Sequence, residues 1–427
     1  MSQDKRILIE KIIDDHNGYR SQTLNLSASE NMVSPTVRRY LASDLGNRYS
    51  TYYDDPSERN YTGQKTLIDI ELKTQQIAKE IFKSEFIDFR PLGGHMAGIS
   101  TILSFMKPGD TMFENSVFDG GHCLASRLKS APFFNNLFNI EDNPIDSETY
   151  NIDIQNMMRL VKEKKPSLVI FGFSTILFPE PLNEIVDQLK NMNITVVYDA
   201  SHVLGLIGGK TFPNPLDQGV DLISTSHHKT FFGPQGGVLL SNSEEIFSKA
   251  RKGLYPPLVG NHHMHRLPSI MLSLYEMKEY GEMYAKQTIK NSKKLGAELY
   301  NYGIDVLYPD KNFTQTHILL VDVSDIGNAD MVSTQILDKA GIISIGVYLP
   351  RDKTTKNDTK SGIRLGTAEI TRMGMKESDM GQIAEFFKKL LIDKKDKNEV
   401  EVEIKDYVKK FNKIDFSYDQ NTDPYNF

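Results

Sequence analysis

The stretch DLISTSHHKT, residues 221–230, ends a run of strand formers on two imidazoles and a lysine. Open α/β sheets hold their ligands outside the carboxyl ends of their strands, and Lys229 stands at such an end. A lysine that is part-buried and beside other cations loses its proton readily and becomes an amine nucleophile. A solvated lysine just past a strand is the plainer alternative. Asp199 closes the apolar run ITVVY in the same way. A buried acid is either paired with something positive or neutralised. Asp199 is therefore either the N-cap of a helical turn in DASHVLG or the counter-charge of a protonated pyridine nitrogen. A lysine nucleophile with an acid of that second kind is the signature of pyridoxal phosphate chemistry. His202, three residues on, is either a helix-face histidine or a contact to the cofactor ring or its phenolic oxygen.

Such a cofactor also needs a phosphate cradle, which backbone N–H groups at a tight turn or helix start provide. RPLGGHMAGIS places Gly93, Gly94 and His95 ahead of a helical segment, and FFGPQGG offers Gly233, Gly236 and Gly237. His122 follows two glycines in DGGHCLAS, where an imidazole either stacks on a ring or faces water. Arg364, in the strand-like IRLG, is the type of buried arginine that takes a carboxylate bidentately, and an amino acid supplies one. Arg372 reads as a structural or rim charge. Ser29 and Glu30 precede a helix start at Ser34-Pro35, with Glu30 either a cap contact or a carboxylate near the substrate.

The elements that must position these residues become plain from about Pro166. LVIFGF, ITVVYD, DLIST and GGVLLS are continuous apolar strands, and PLNEIVDQLKNMN is a crossover helix opened by Pro181, which means a buried, mostly parallel sheet. SEEIFSKARKG is a helix capped by Asn242 or Ser243 and stopped by Gly253. A long helical stretch near 270–300 leads to HILLVDVSD, GIISIGVYL, GIRLGTAEI and the amphipathic ESDMGQIAEFFKKLLIDKK, a smaller α+β unit. Residues 1–24 form a helical arm with Ile7, Leu8, Ile12 and Ile13 near helical spacing, which packs on a partner or on its own domain. The expected division is this arm, a large domain over 25–285 and a small one over 286–427, with a frayed polar tail YDQNTDPYNF. The 427 residues carry 50 basic and 56 acidic side chains, net −6, with no long basic run. That argues against nucleic-acid and membrane partners. One cysteine, Cys123, excludes an intrachain disulfide and a multi-cysteine zinc site; no metal is expected. No signal-peptide core or spanning segment is visible, and a cytoplasmic enzyme is the expectation.

LSASENMVSP, DGGH, YDASHVLGLIGG, TSHHKTFFGPQGG and IRLGTAEITRMG, in this order and spacing, resemble the serine hydroxymethyltransferase family. LVGNHHMHRLPS and GNRYSTYY…SERNYTG resemble its archaeal-type branch, and NFTQTH resembles the related threonine transaldolases. The likeness runs from about Leu24 to Gly374. It implies a fold-type I pyridoxal-phosphate-dependent transferase: an α/β large domain on a mostly parallel, seven-stranded-type sheet, a smaller α+β carboxyl-terminal domain, and a homodimer with shared active sites. It further implies that Lys229 carries the cofactor, Asp199 pairs with its ring nitrogen and His122 stacks on it. Ser174 and His202 would lie near the phenolic oxygen. Gly93, Gly94, His95 and the partner's Gly236 and Gly237 would lie near the phosphate, with His228 also on the cofactor. Arg364 and Ser29, with Glu30 nearby, would hold the substrate. Tyr49 and Tyr61 would enter from the neighbouring subunit. The implied substrates are a small amino acid with an aldehyde or a reduced pterin.

The chain departs from the family at several of these places. Thr51 stands where the family has a glutamate used in the folate-dependent step, and a threonine cannot act as an acid or base near neutral pH. Gly93 and His95 replace the phosphate-loop serines, His227 replaces a threonine, and Asp119 replaces the first histidine of HGGH. The favoured reading is the making or breaking of the Cα–Cβ bond of a β-hydroxy-α-amino acid with glycine as partner, by retro-aldol chemistry, with the pterin left open. An aminotransferase on the same scaffold and a catalytically silent dimeric binding protein are the alternatives.

Overall fold

Four apolar runs lacking polar alternation become strands buried on both faces: Leu168–Phe171, Thr195–Asp199, Leu222–Ser226 and Gly237–Ser241. The computed structural model describes residues 2–354 and 359–425. In it the four strands join Phe86–Asp88, Thr111–Glu114 and Asn139–Asp142 in one seven-stranded sheet. These last three are only three or four residues long, too short to show a period in the sequence. From one edge the order runs through the strands starting at 86, 237, 222, 195, 168, 111 and 139. Gly237–Ser241 is antiparallel to both its neighbours, and the other four pairings are parallel. The sheet is thus mostly parallel, as expected. The strands ending at Ser226, Asp199 and Phe171 are neighbours, so the loops carrying Lys229, Asp199 and Ser174 leave the same edge side by side.

A second, three-stranded antiparallel sheet has Gly362–Gly366 between Ile318–Asp322 and Ile345–Val347. GIISIGVYL is not one strand: Ile342–Ile343 instead pairs in parallel with Leu24–Asn25 as a separate two-stranded sheet, and the Gly366 amide donates to the Leu26 carbonyl at 2.8 Å, which brings the segment before Ser29 against the small sheet. The 36-residue helix Arg266–Asn301 connects the two cores. Met277 and Tyr284 sit in the cluster under the large sheet, and Leu295 and Leu299 in the cluster under the small one.

Two local expectations are revised and a third, for Arg372, is resolved. Gly253 does not stop its helix, which runs Glu244–Leu254 from a Ser243 cap. A Cβ there would lie 2.1 Å from Ser104 Oγ and 2.4 Å from the Ser100 carbonyl, so this glycine serves helix–helix packing. The tail is tied down rather than frayed: Asp419 accepts from the Thr36 amide and hydroxyl, and Ser417 donates to Glu276 at 2.7 Å; Asn426 and Phe427 lie outside the described residues. Arg372 is structural. It is fully buried, paired with Glu276 at 2.6 Å, and lies 3.8 Å above the Phe232 ring.

Candidate active site

Lys229 leaves the sheet two residues after His227, and its loop is held from two sides. Asn31 donates to the Lys229 carbonyl at 2.6 Å, and Thr230 Oγ1 donates to the His202 carbonyl at 2.8 Å, tying this loop to the one that follows Asp199. Burial pushes the Lys229 ammonium down to about 8, with Asp199 opposing and Arg364 adding to the fall. Asp199 accepts from the Ser201 amide at 2.9 Å, the cap-type contact that the sequence allows. That bond uses one of its two carboxylate oxygens and leaves the counter-charge reading open to the other.

One cavity of about 470 Å³ takes in Lys229, His122, His202, Ser174, Ser29 and Arg364. Its base is the buried Arg364, which donates to the Ser174 carbonyl at 2.6 Å and the Ser29 hydroxyl at 2.7 Å. Among the described residues no carboxylate pairs with it, and burial pulls its guanidinium down to about 10. A buried charge without a partner is costly, so the site has a place for a carboxylate that the chain does not fill. His122 is also neutral near pH 7, since burial lowers it to about 4. Its Nε2 lies 3.1 Å from His95 Nδ1 with the rings edge to face. His202 is buried and stacks on His317 at 5.6 Å and 19°. His317, in turn 3.2 Å from the Ala28 carbonyl, is a residue that sequence reasoning did not single out. Its signals were its place at the end of NFTQTH and just ahead of the edge strand Ile318–Asp322.

The glycines converge beside this cavity. Gly93 caps the helix Gly94–Phe105. A Cβ on Gly94 would meet the Ser226 amide at 2.8 Å, and one on Gly237 would meet the Gly93 carbonyl at 2.4 Å. Gly237 therefore packs against the Gly93 turn within one chain. Ser226 Oγ is buried next to that turn with no hydrogen-bond partner among the described residues. A helix start, close-packed backbone and an orphan hydroxyl suit a phosphate.

The remaining candidates lie elsewhere. Glu30 does not line the cavity: its carboxylate is held by Arg20 at 2.6 Å and Asn25 at 2.9 Å, in an adjoining cleft that also contains His228. Tyr49 and Tyr61 are half-exposed and pack on each other at 4.9 Å, away from this chain's own cavity. Thr51 is buried, and His227 is buried against Phe89 and Phe231. Asp119 forms an ion pair with Lys353 at 2.8 Å. A half-buried lysine with a lowered proton affinity, a neighbouring carboxylate, a phosphate-type turn and an unpaired buried arginine together fit pyridoxal phosphate and an amino acid. Among the described residues, no cluster of histidine, cysteine and carboxylates is arranged to hold a metal ion.

The serine hydroxymethyltransferase family matches residues 2–387. Serine hydroxymethyltransferase of Methanosphaera stadtmanae is 36% identical over 419 residues, 98% of this chain and 97% of that protein. That of Thermococcus onnurineus is 38% identical over 409 residues, 95% of each. Among solved structures, L-threonine transaldolase from Pseudomonas fluorescens superposes with a TM-score of 0.90 at 29% identity, over 98% of this chain and 94% of that one. The chain belongs to the serine hydroxymethyltransferase family, and is a fold-type I, pyridoxal-phosphate-dependent transferase that works on the Cα–Cβ bond of β-hydroxy-α-amino acids.

Proposed function

We propose that this family member interconverts glycine and β-hydroxy-α-amino acids of the serine and threonine type by aldol chemistry in which no pterin is obligatory. The observation that carries the reading is Arg364, a buried guanidinium with no carboxylate partner, in one cavity with Lys229. Lys229 would hold the cofactor, with its amine available because burial lowers its proton affinity. Asp199 would keep a proton on the ring nitrogen, and His122, neutral at pH 7, would cover the ring face. Bound there, pyridoxal phosphate supplies an electron sink for the pair left when a bond at Cα breaks. Arg364 and Ser29 would grip the substrate carboxylate and so choose which Cα bond is aligned to break. When the Cα–Cβ bond breaks, the β-hydroxyl loses its proton and leaves as an aldehyde, and Cα takes a proton to give glycine.

Thr51 supports independence from the carrier. It is only 7% exposed and has no acidic proton to cycle, and a placed acid or base is worth about 100- to 10,000-fold. A homodimer goes with this reading. Ile7, Leu8, Ile9, Ile12 and Ile13 are each more than half exposed on the helix Ser2–Arg20, and Tyr49 and Tyr61 present a half-exposed aromatic pair for a neighbour's site. The single, buried cysteine suits a reducing cytoplasm. The test is to assay cleavage of L-threonine and L-serine with and without a reduced pterin, in the parent and in Thr51→Glu. Threonine cleavage comparable to or faster than serine-to-pterin transfer supports the proposal. Fast serine-to-pterin transfer that Thr51→Glu does not improve would restore an ordinary hydroxymethyltransferase, and amino transfer to 2-oxo acids would make it an aminotransferase.

A further inference from the structure

The wall of the active-site cavity carries several cations and, among the described residues, no carboxylate. Besides Lys229 and Arg364 it includes Arg127 and Lys360. Under the function proposed above, on which this inference rests, Lys229 serves the cofactor and Arg364 the substrate carboxylate. The phosphate belongs to the turn at Gly93 and Gly94, which is not part of this wall. Arg127 and Lys360 are left without a role in that assignment. Lys360 shares its charge with Asp330 at 2.9 Å, a carboxylate half open to solvent. Arg127 makes no ion pair among the described residues, yet it lies near enough to His95 and His122 to lower both.

The small sheet shows where Lys360 stands relative to Arg364, and Arg127 enters the same wall from the helix Leu124–Leu128. Ile345 lies opposite Arg364 and Val347 opposite Gly362, so Tyr348 and Lys360 continue along the same wall. Four residues of extended chain separate Arg364 from Lys360, about 13 Å at roughly 3.3 Å per residue. The Lys360 ammonium is 5.9 Å from the Tyr348 ring centroid. Val117, Ile345, Val347 and Tyr348 make the stretch between the two ends apolar or aromatic. A substrate held by its carboxylate at Arg364 has room there for a group on Cβ larger than the hydrogen of serine or the methyl of threonine.

We infer that the β-substituent is anionic: the preferred substrates are β-hydroxy-α-amino acids whose released aldehyde carries a carboxylate or a phosphate, which Arg127 and Lys360 recognise. In the synthetic direction the glycine Cα loses a proton and bonds to the aldehyde carbon, and the carbonyl oxygen takes up a proton. No oxidant or reductant is needed.

The test gives the holoenzyme glycine with succinic semialdehyde or with its neutral methyl ester and compares kcat/KM for carbon–carbon bond formation. A charge-assisted hydrogen bond predicts a preference for the anion of about 10- to 100-fold. Arg127→Gln and Lys360→Gln should each shrink that ratio, and raised salt should shrink it in the parent. Equal or better use of the ester, a ratio that neither variant moves, or rejection of both aldehydes would overturn the inference. A parallel arm compares serine-to-pterin transfer with glutamylated and glutamate-free tetrahydropterin. A response to Arg127→Gln confined to the glutamylated carrier would assign the anion to the carrier and also defeat the inference. Exchange of the glycine α-proton with solvent, followed by NMR, separates the two levels. Exchange without anion preference fails this inference alone, whereas absence of exchange fails the functional reading beneath it.

Discussion

Replacing Arg364 by methionine should leave the cofactor-free protein about as stable as the parent while removing most of its activity. Burial lowers this guanidinium from 12.5 to about 10, with only Tyr150 opposing. At about 1.36 kcal/mol per pH unit, holding the charge costs the fold about 3 kcal/mol. The folded chain binds this proton less tightly than the unfolded one, so the penalty is constant below about pH 10 and fades only as pH rises toward 12.5. Against it stand the bonds to the Ser174 carbonyl and the Ser29 hydroxyl, each contributing about 1 kcal/mol net. Methionine fills similar space without a charge, so loss and relief nearly offset, and urea melts at pH 7 should agree to about 1 kcal/mol. The carboxylate grip has no such compensation: losing one partner of a buried charge pair costs about 2–5 kcal/mol, or about 30- to 5,000-fold in kcat/KM for threonine cleavage. A variant destabilised by about 3–5 kcal/mol, as when a structural ion pair is broken, would show that Arg364 holds the fold together. An unchanged KM would place the substrate carboxylate elsewhere.

Three further outcomes follow from the same geometry. The rate at which added pyridoxal phosphate attaches to Lys229 should rise with pH through about 8 and then level off, because the folded amine loses its proton there; a rise continuing past pH 10 would contradict the lowered proton affinity, and Lys229→Ala should not attach the cofactor. Burial raises the Glu180 carboxyl, which accepts from the Gly172 amide at 2.9 Å, to about 7. Its contribution to stability is full below about pH 4.5 and lost as pH rises through 7, so Glu180→Gln should gain about 2–3 kcal/mol on the parent between pH 5 and pH 8, and a pH-independent difference in urea melts would sink the idea. Ile12→Asp in the exposed stripe of the first helix should shift the species seen by light scattering toward monomer and lower specific activity on dilution; a fully active monomer would remove Tyr49 and Tyr61 from the site.

Much of the candidate site was legible in residue types. Lys229, Asp199 and Arg364 each end or occupy an apolar strand, and a polar or charged residue in such a place must have a partner, which the sequence alone signals. Four of the strands were legible for a similar reason, since burial on both faces leaves no polar alternation. The errors lie where long-range contacts overrule local pattern. Gly253 resembles a helix stop but is a packing contact with Ser104. The polar tail reads as loose but is held by Thr36 and Glu276. Glu30 precedes a helix start beside Ser29, yet Arg20, ten residues back, draws its carboxylate into the neighbouring cleft.

The sequence by itself pointed to the kind of chemistry proposed, because a lysine and an acid just after apolar strands and an arginine within one are legible from residue type and local pattern. Which groups share one cavity was decided only by tertiary structure. Arg364 meets Ser29 across 335 positions and Ser174 across 190, and Arg127, on the short helix Leu124–Leu128, and Lys360, just ahead of the strand Gly362–Gly366, reach the same wall from distant parts of the chain. No local period encodes such a meeting: it arises when the segment through Leu24–Asn25 pairs with Ile342–Ile343 and the small sheet closes over the edge of the large one, and the free energy for that comes from burying the two cores that the helix Arg266–Asn301 joins.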